Sequence, residues 1–110
     1  MEKIDATTAI LPPEKIRDYL LSSSHPIGRY KSIFFKSLGY TQDGWEVLER
    51  DLRGLLGGSM EPIDVTEYGR KFATHGGLIG PHGRVARVTC IWIILTGEVI
   101  LRFVTAYPED

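Results

Sequence analysis

The spacing of apolar residues changes period once along this chain, from helical before about residue 56 to alternating after about residue 66. In Glu14–Ser22, Ile16, Tyr19 and Leu20 fall at i, i+3 and i+4, which predicts an amphipathic helix of about two and a half turns. Pro13 can open it, and the three serines Ser22–Ser24 followed by the His25-Pro26 bend close it. Gly28–Leu38 predicts a second helix with Tyr30, Ile33, Phe34 and Leu38 inward and with Lys31 and Lys36 off that stripe. Gly39 is expected to leave it in left-handed geometry, with Tyr40 making the contact that follows. A third helix, Trp45–Leu56, turns Val47, Leu48, Leu52, Leu55 and Leu56 inward and the pairs Glu46–Arg50 and Glu49–Arg53 outward.

Ser59–Val65 reads as a linker, with Ile63–Val65 a candidate extra strand. Tyr68–His75, Arg84–Leu95 and Glu98–Tyr107 read as strands. Between the first two lie Gly76-Gly77, a candidate bulge or kink, and the GPHG turn, Gly80–Gly83. Thr96-Gly97 reads as a two-residue hairpin loop between the last two. The predicted fold class is α+β, with three N-terminal helices packed on one face of a C-terminal antiparallel sheet of three to four strands. The whole chain, 1–110, is expected to be one domain with residues 1–12 as a loose N-terminal arm.

A two-residue hairpin at Thr96-Gly97 implies a register. It pairs Ile94 with Val99, Trp92 with Leu101, Cys90 with Phe103 and Val88 with Thr105 on a nearly all-apolar face that should meet the helices. The other face pairs Ile93 with Ile100, Ile91 with Arg102, Thr89 with Val104 and Arg87 with Ala106. Without a bulge at Gly83, His75 turns inward; with one, the preferred register because it sends Phe72 inward, His75 faces Thr89, Gly77 faces Arg87 and Phe72 faces Trp92. That gathers Lys71, His75, Arg87, Thr89 and Arg102 on the open face. Guanidinium forks match phosphate oxygens, and an imidazole moves protons near neutral pH, so this set suits a phosphodiester. An antiparallel sheet also carries arginines merely to keep a wet face soluble. A second constellation, Ser23–Lys31, sets His25 before a helix start whose first turn carries Arg29 and Lys31, a place for an anion. The ordinary reading there is a bend with a hydrogen-bonded imidazole and a solvated lysine.

Composition narrows the classes. The chain has 43% hydrophobic and 25% charged residues and a net charge of −1, ordinary for a globular protein and unlike a general polyanion binder. The charge is segregated: Lys15–Lys36 and Thr66–Tyr107 are mainly basic, and Asp43–Asp64 is mainly acidic. No apolar run reaches the roughly 20 residues of a membrane span, and the start of the chain lacks signal-peptide character. Together with a single cysteine, Cys90, in an apolar strand, this makes the cytoplasm the expected compartment. Cys90 reads as a small buried hydrophobe. One cysteine and three scattered histidines make no metal site, and no cofactor is expected.

The segments LPPEKIRDYLLSSSHPIGRYKSIFFKSLGY, YGRKF, GLIGPHGR and LRFVTAYP carry a resemblance. They look like a small bacterial domain family of unknown function with a YLL…HP-x-G-x-x-K-x-x-F-F motif, a Gly-Pro-x-Gly turn and a VTAYP ending, over about residues 11–108. Its members occur as short free-standing proteins and as C-terminal modules of toxin proteins, and it resembles the barnase-, EndoU-, colicin- and RelE-like ribonucleases. The resemblance implies an endoribonuclease toxin that cleaves RNA, tRNA or mRNA, without metal, and that is covered by a cognate antitoxin or immunity protein. By motif it implies catalytic roles for His25, Lys31, Arg102, Thr105 and Tyr107; the open-face residues Lys71, His75, Arg87 and Thr89 and the helix-start Arg29, read from their positions above, are expected to bind substrate. His82 stands where the family turn carries asparagine. The competing expectation is a non-catalytic interaction module, either the antitoxin or immunity partner itself or a small adaptor, which the near-neutral charge favours.

Overall fold

The computed structural model describes residues 8–26, 28–58 and 60–109. Four antiparallel strands form a meander in the order β1-β2-β3-β4: β1 Met60–Thr66, β2 Gly69–Ile79, β3 Val85–Leu95 and β4 Leu101–Pro108. Before the sheet come α1, Pro13–Lys15, continued by a π turn, Ile16–Leu20, then α2, Gly28–Ser37, and α3, Trp45–Gly54, which tightens into a 3₁₀ turn, Leu55–Gly57.

The expected layer of three regular helices is overturned. The first helix is one α turn and one π turn, fixed by the Leu21 N–H donating to the Ile16 carbonyl at 3.1 Å. The wider winding brings Leu20 and Leu21 together into the core, both at 0% exposure, beside Ile16. The inner sheet face is therefore closed by two ten-residue helices, two short turns and an extended N-terminal stretch. That stretch includes part of the expected loose arm: Ala9 and Leu11 are buried, and Ile10 pairs in parallel with Arg102 on β4. Residues 1–7 lie outside the described residues.

Helix α2 is rotated from its expected setting. Phe35, Leu38 and Ser32 are buried, whereas Tyr30 and Ile33 are exposed. Ser32 satisfies its hydroxyl by donating to the Arg29 carbonyl at 2.9 Å, so a small polar residue can occupy the contact face. The rotation sets Lys31 at i−4 and i−7 from Phe35 and Leu38, on the edge of the buried stripe. The end of α2 is as expected: Gly39 has φ of 103°, and the Tyr40 N–H reaches back to the Phe35 carbonyl.

In the sheet, Phe72 faces Trp92, His75 faces Thr89 and Gly77 faces Arg87, the register expected for the β2–β3 pair, and Gly76-Gly77 runs straight through β2 with no bulge. The stretch read as a linker is strand β1. The β3–β4 register differs from the two-residue hairpin. Ile94 pairs with Leu101, Trp92 with Phe103, Ile91 with Thr105, Cys90 with Ala106 and Thr89 with Tyr107, and a bulge interrupts the ladder at Ile91/Trp92. A wider connection, with a Glu98 N–H to Leu95 carbonyl bond at its start and Gly97 at φ 85°, replaces the tight loop. The slip of two residues leaves Leu101 and Phe103 on the inner face, and the bulge resets everything after it. The core centres on Trp92, whose ring meets Phe103 edge to face at 5.4 Å and whose indole N–H donates to the Thr74 hydroxyl at 2.9 Å.

The β2–β3 turn docks on the end of α2. A methyl group at Gly80 would stand 2.0 Å from the Leu38 carbonyl oxygen, and one at Gly39 would meet the His82 ring at 2.8 Å. Gly80→Ala must therefore push α2 off the turn. It is expected to lower stability by about 1–3 kcal/mol or more in urea denaturation, whereas Gly83→Asn, in open space at φ 83°, should cost far less.

Candidate functional site

A cleft of about 480 Å³ opens between the first turn of α2, the π turn and the outer edge of β4. Glu14, Lys15, Tyr19, His25, Lys31, Val104 and Thr105 line it. Each side chain is delivered by a local feature. The π turn presents Tyr19, half-buried, between Ile16 and Leu20. The bend after the serines holds His25 against Tyr19, with ring centroids 5.0 Å apart, edge to face. The His25 carbonyl accepts the Arg29 N–H at 3.0 Å, so the bend is tied to the helix that follows. The rotation of α2 brings Lys31, and the β4 bulge brings Thr105, to a 2.6 Å Nζ–Oγ1 hydrogen bond. Lys31 Nζ also lies 5.1 Å from the Tyr19 ring centre, and Lys15 Nζ donates to the Val104 carbonyl at 3.1 Å.

Electrostatics in the cleft act on Tyr19. Burial pushes its phenol up, but hydrogen bonding with Lys31 and Thr105 and the charges of Lys31 and Lys15 outweigh that, and the net shift is downward. The corner thus holds a softened phenol, the ammonium groups of Lys15 and Lys31, a hydroxyl and an imidazole on one concave surface, with the Glu14 carboxylate as its one acidic group among the described residues. Those groups can grip an anion and move protons.

His25, Lys31 and Thr105 are brought together there. The remaining residues picked from the sequence lie elsewhere. Arg102 stands opposite Ile93 on the open face, forked onto Glu98 at 3.0 and 3.3 Å. Tyr107 is opposite Thr89 near the end of β4. Arg29 is exposed, with its guanidinium over the Tyr30 ring and hydrogen-bonded to the Tyr30 hydroxyl at 2.9 Å. Lys71 pairs across from Ile93 on β2.

His75, Arg87 and Thr89 form a second cluster on the open face, around carboxylates that the sequence reading did not bring in. Glu109 accepts from His75 Nδ1 at 2.6 Å, from the Thr89 hydroxyl at 2.8 Å and from Arg87 Nε at 3.1 Å. His75 Nε2 donates to Glu61 at 2.8 Å. The two carboxylates raise the His75 pKa, Glu61 most. The Thr89 hydroxyl, His75 and Arg87 hold the Glu109 carboxyl down at about 2. Tyr19 and Glu109 are the principal residues missed. Tyr19 was legible in the motif itself, as the tyrosine of YLL…HP-x-G-x-x-K, but its helical spacing made it look like core. Glu109 carried no local signal.

Among the described residues no group of three or more His, Cys, Asp or Glu side chains is placed to hold a metal ion, and no helix is long and apolar enough to cross a membrane. Cys90 is buried, and burial raises its thiol to about 12.

The family model described as a domain of unknown function, DUF6883, matches residues 3–110. The chain belongs to this family. No curated protein matches the chain. Among solved structures, a chain of the "Contact-dependent growth inhibition toxin - immunity protein complex from Klebsiella pneumoniae 342" is similar, with a TM-score of 0.73 and 22% identity over 96% of this chain and 97% of that one. At that identity the likeness is one of fold.

The open-face cluster makes stability depend on pH. His75 is raised above its ordinary 6.5, so its contribution is full below about 6.5 and is lost as pH rises through the folded value. Glu109 is lowered from 4.5, so its contribution is present above about 4.5 and is lost as pH falls towards 2. The gap in urea midpoint between the wild type and His75→Gln should be widest between about pH 4.5 and 6.5 and should shrink at higher pH. A gap that stays constant from pH 5 to 9 would show that the ion pairs contribute nothing.

Proposed function

We propose that this chain is a ribonuclease-type toxin domain that cleaves RNA without a metal. The observation that carries the reading is the convergence of Tyr19, His25, Lys31 and Thr105 in one cleft. The likeness in fold to a chain of a toxin–immunity complex supports it. RNA places the reaction in the cytoplasm, with a cognate immunity protein or antitoxin as partner.

The His25 imidazole takes the proton from a ribose 2′-hydroxyl, whose oxygen attacks the adjacent phosphorus. The new O2′–P bond forms as the P–O5′ bond breaks, leaving a 2′,3′-cyclic phosphate. The Lys31 ammonium and the Thr105 hydroxyl bind the non-bridging oxygens, where negative charge builds up. The Tyr19 phenol, its proton loosened by Lys31, protonates the departing 5′-oxygen. Arg102, Tyr107, Arg29 and Lys71 lie outside this cleft and are assigned to contacts with the rest of the RNA.

A second reading, a non-catalytic immunity-type binding domain, is favoured by one observation. Arg87, Arg102 and His75 are each matched by a carboxylate of the chain itself, so the open face is not a bare cationic surface.

Induced expression separates the two. The wild type should arrest growth and degrade tRNA or other RNA, and purified protein should yield cyclic-phosphate ends in the presence of a chelator. Lys31→Ala should lower cleavage about 100- to 1000-fold and Tyr19→Phe about 100-fold or more, with the urea midpoint little changed for Tyr19→Phe. Intact RNA and normal growth under wild-type expression would remove the ribonuclease reading.

A further inference from the structure

Glu109 sits where a ligand belongs. Three donors from two strands, His75 Nδ1 on β2 and Thr89 Oγ1 and Arg87 Nε on β3, converge on the two oxygens of this one carboxylate. The Glu109 N–H is also fastened to the Arg87 carbonyl at 3.0 Å, which seats the tail of β4 over the cradle. Glu61 on His75 Nε2 orients the ring so that its other N–H points into the cradle. A guanidinium, an imidazolium and a hydroxyl around two oxygens is a site for a singly charged oxyanion with two free oxygens. A carboxylate fills it from within the chain, and the non-bridging oxygens of a phosphodiester have the same demand.

We propose that the His75–Arg87–Thr89 cradle is a phosphodiester subsite for RNA, held closed by the chain's own Glu109 acting as an internal stand-in. The identity of the ligand rests on the ribonuclease reading above; the cradle itself does not. Two features favour RNA over an acidic protein. Thr89 lies two residues along β3 from Ile91, the partner of Thr105, which is about 7 Å at strand rise. A phosphodiester chain rounding the β4 edge can thus lie in cleft and cradle together. Tyr107, opposite Thr89 and 41% exposed, offers a ring for a base to stack on. The two cations and two carboxylates of the cluster cancel, and displacing Glu109 uncovers one net positive charge. Binding then has to compete with the internal carboxylate, which keeps the surface quiet towards polyanions in general.

The test is the affinity of the full chain for a 2′-O-methyl RNA oligonucleotide, which binds without being cleaved, measured by fluorescence anisotropy at several salt concentrations. Glu109→Gln keeps a side-chain oxygen for Thr89 and removes the charge. It is expected to bind about tenfold more tightly, with the dependence of log affinity on log salt steeper by about 0.7. Adding Arg87→Ala should cancel the gain, and adding Lys31→Ala should leave it. In the wild type, the oligonucleotide should shift the His75 ring and Thr89 amide signals in NMR, a readout independent of how any variant folds. Equal or weaker binding by a folded Glu109→Gln, or NMR shifts confined to the Tyr19–Lys31 cleft, would overturn the proposal. So would polyglutamate displacing Glu109 where the oligonucleotide does not. A dead ribonuclease looks different: cleavable RNA stays intact while the Glu109→Gln binding gain persists.

Discussion

The outer edge of β4 is where the helical half of this protein is fastened to its sheet. An edge strand leaves backbone donors and acceptors open, and a stable fold has to cover them. Here Ile10 covers the first part, donating to the Leu101 carbonyl at 2.8 Å and accepting from the Phe103 N–H at 2.9 Å. At the bulge that regular pairing gives way, and two ammonium groups take over: Lys15 on the Val104 carbonyl and Lys31 on the Thr105 hydroxyl. The edge is thus closed by backbone on one side of the bulge and by long basic side chains on the other. The cleft is the space those side chains bridge.

That arrangement gives the protein two sets of cations in different electrical states. On the open face, Arg87, His75 and Arg102 meet carboxylates, and their charge is spent within the molecule. In the cleft, the partners of Lys15 and Lys31 are a carbonyl, a hydroxyl and a phenol, all neutral. A neutral partner positions an ammonium without cancelling its field. Against the upward push of burial, hydrogen bonding with Lys31 and Thr105 lowers the pKa of Tyr19, and the charges of Lys31 and Lys15 add to it. A net charge of −1 for the chain therefore says little about the cleft, because charge segregation decides what a bound anion meets.

The family motif and the geometry agree on part of the site for a physical reason. His25, Lys31 and Thr105 come from a helix start and a strand end that are far apart in the chain, and the motif names all three. The same motif includes Arg102 and Tyr107, which serve the open face. A motif records which residues occur together. It does not record which of them a neighbouring element will meet: Arg102, Thr105 and Tyr107 pair with Ile93, Ile91 and Thr89 and so share one face of β4, and it is Thr105 that meets Lys31.

The amino-acid sequence by itself determined the succession from helical to strand periodicity and the left-handed exit at Gly39, and it left two registers for the β2–β3 pair, of which the structure takes the one with His75 opposite Thr89. These depend on local geometry: a glycine where φ is positive, a turn of set length, a period of two. Only the tertiary structure decided the π winding after Lys15, the rotation of α2 that buries Ser32 and exposes Ile33, and the opening of the two-residue loop expected at Thr96-Gly97 into a wider connection that pairs Ile94 with Leu101. Each of these is set by how large groups share one core around Trp92, where the inner residues of β4 must meet those of β3 whatever loop joins them. Lys31 reaches Thr105, and Glu109 reaches His75, only once that packing has fixed the faces.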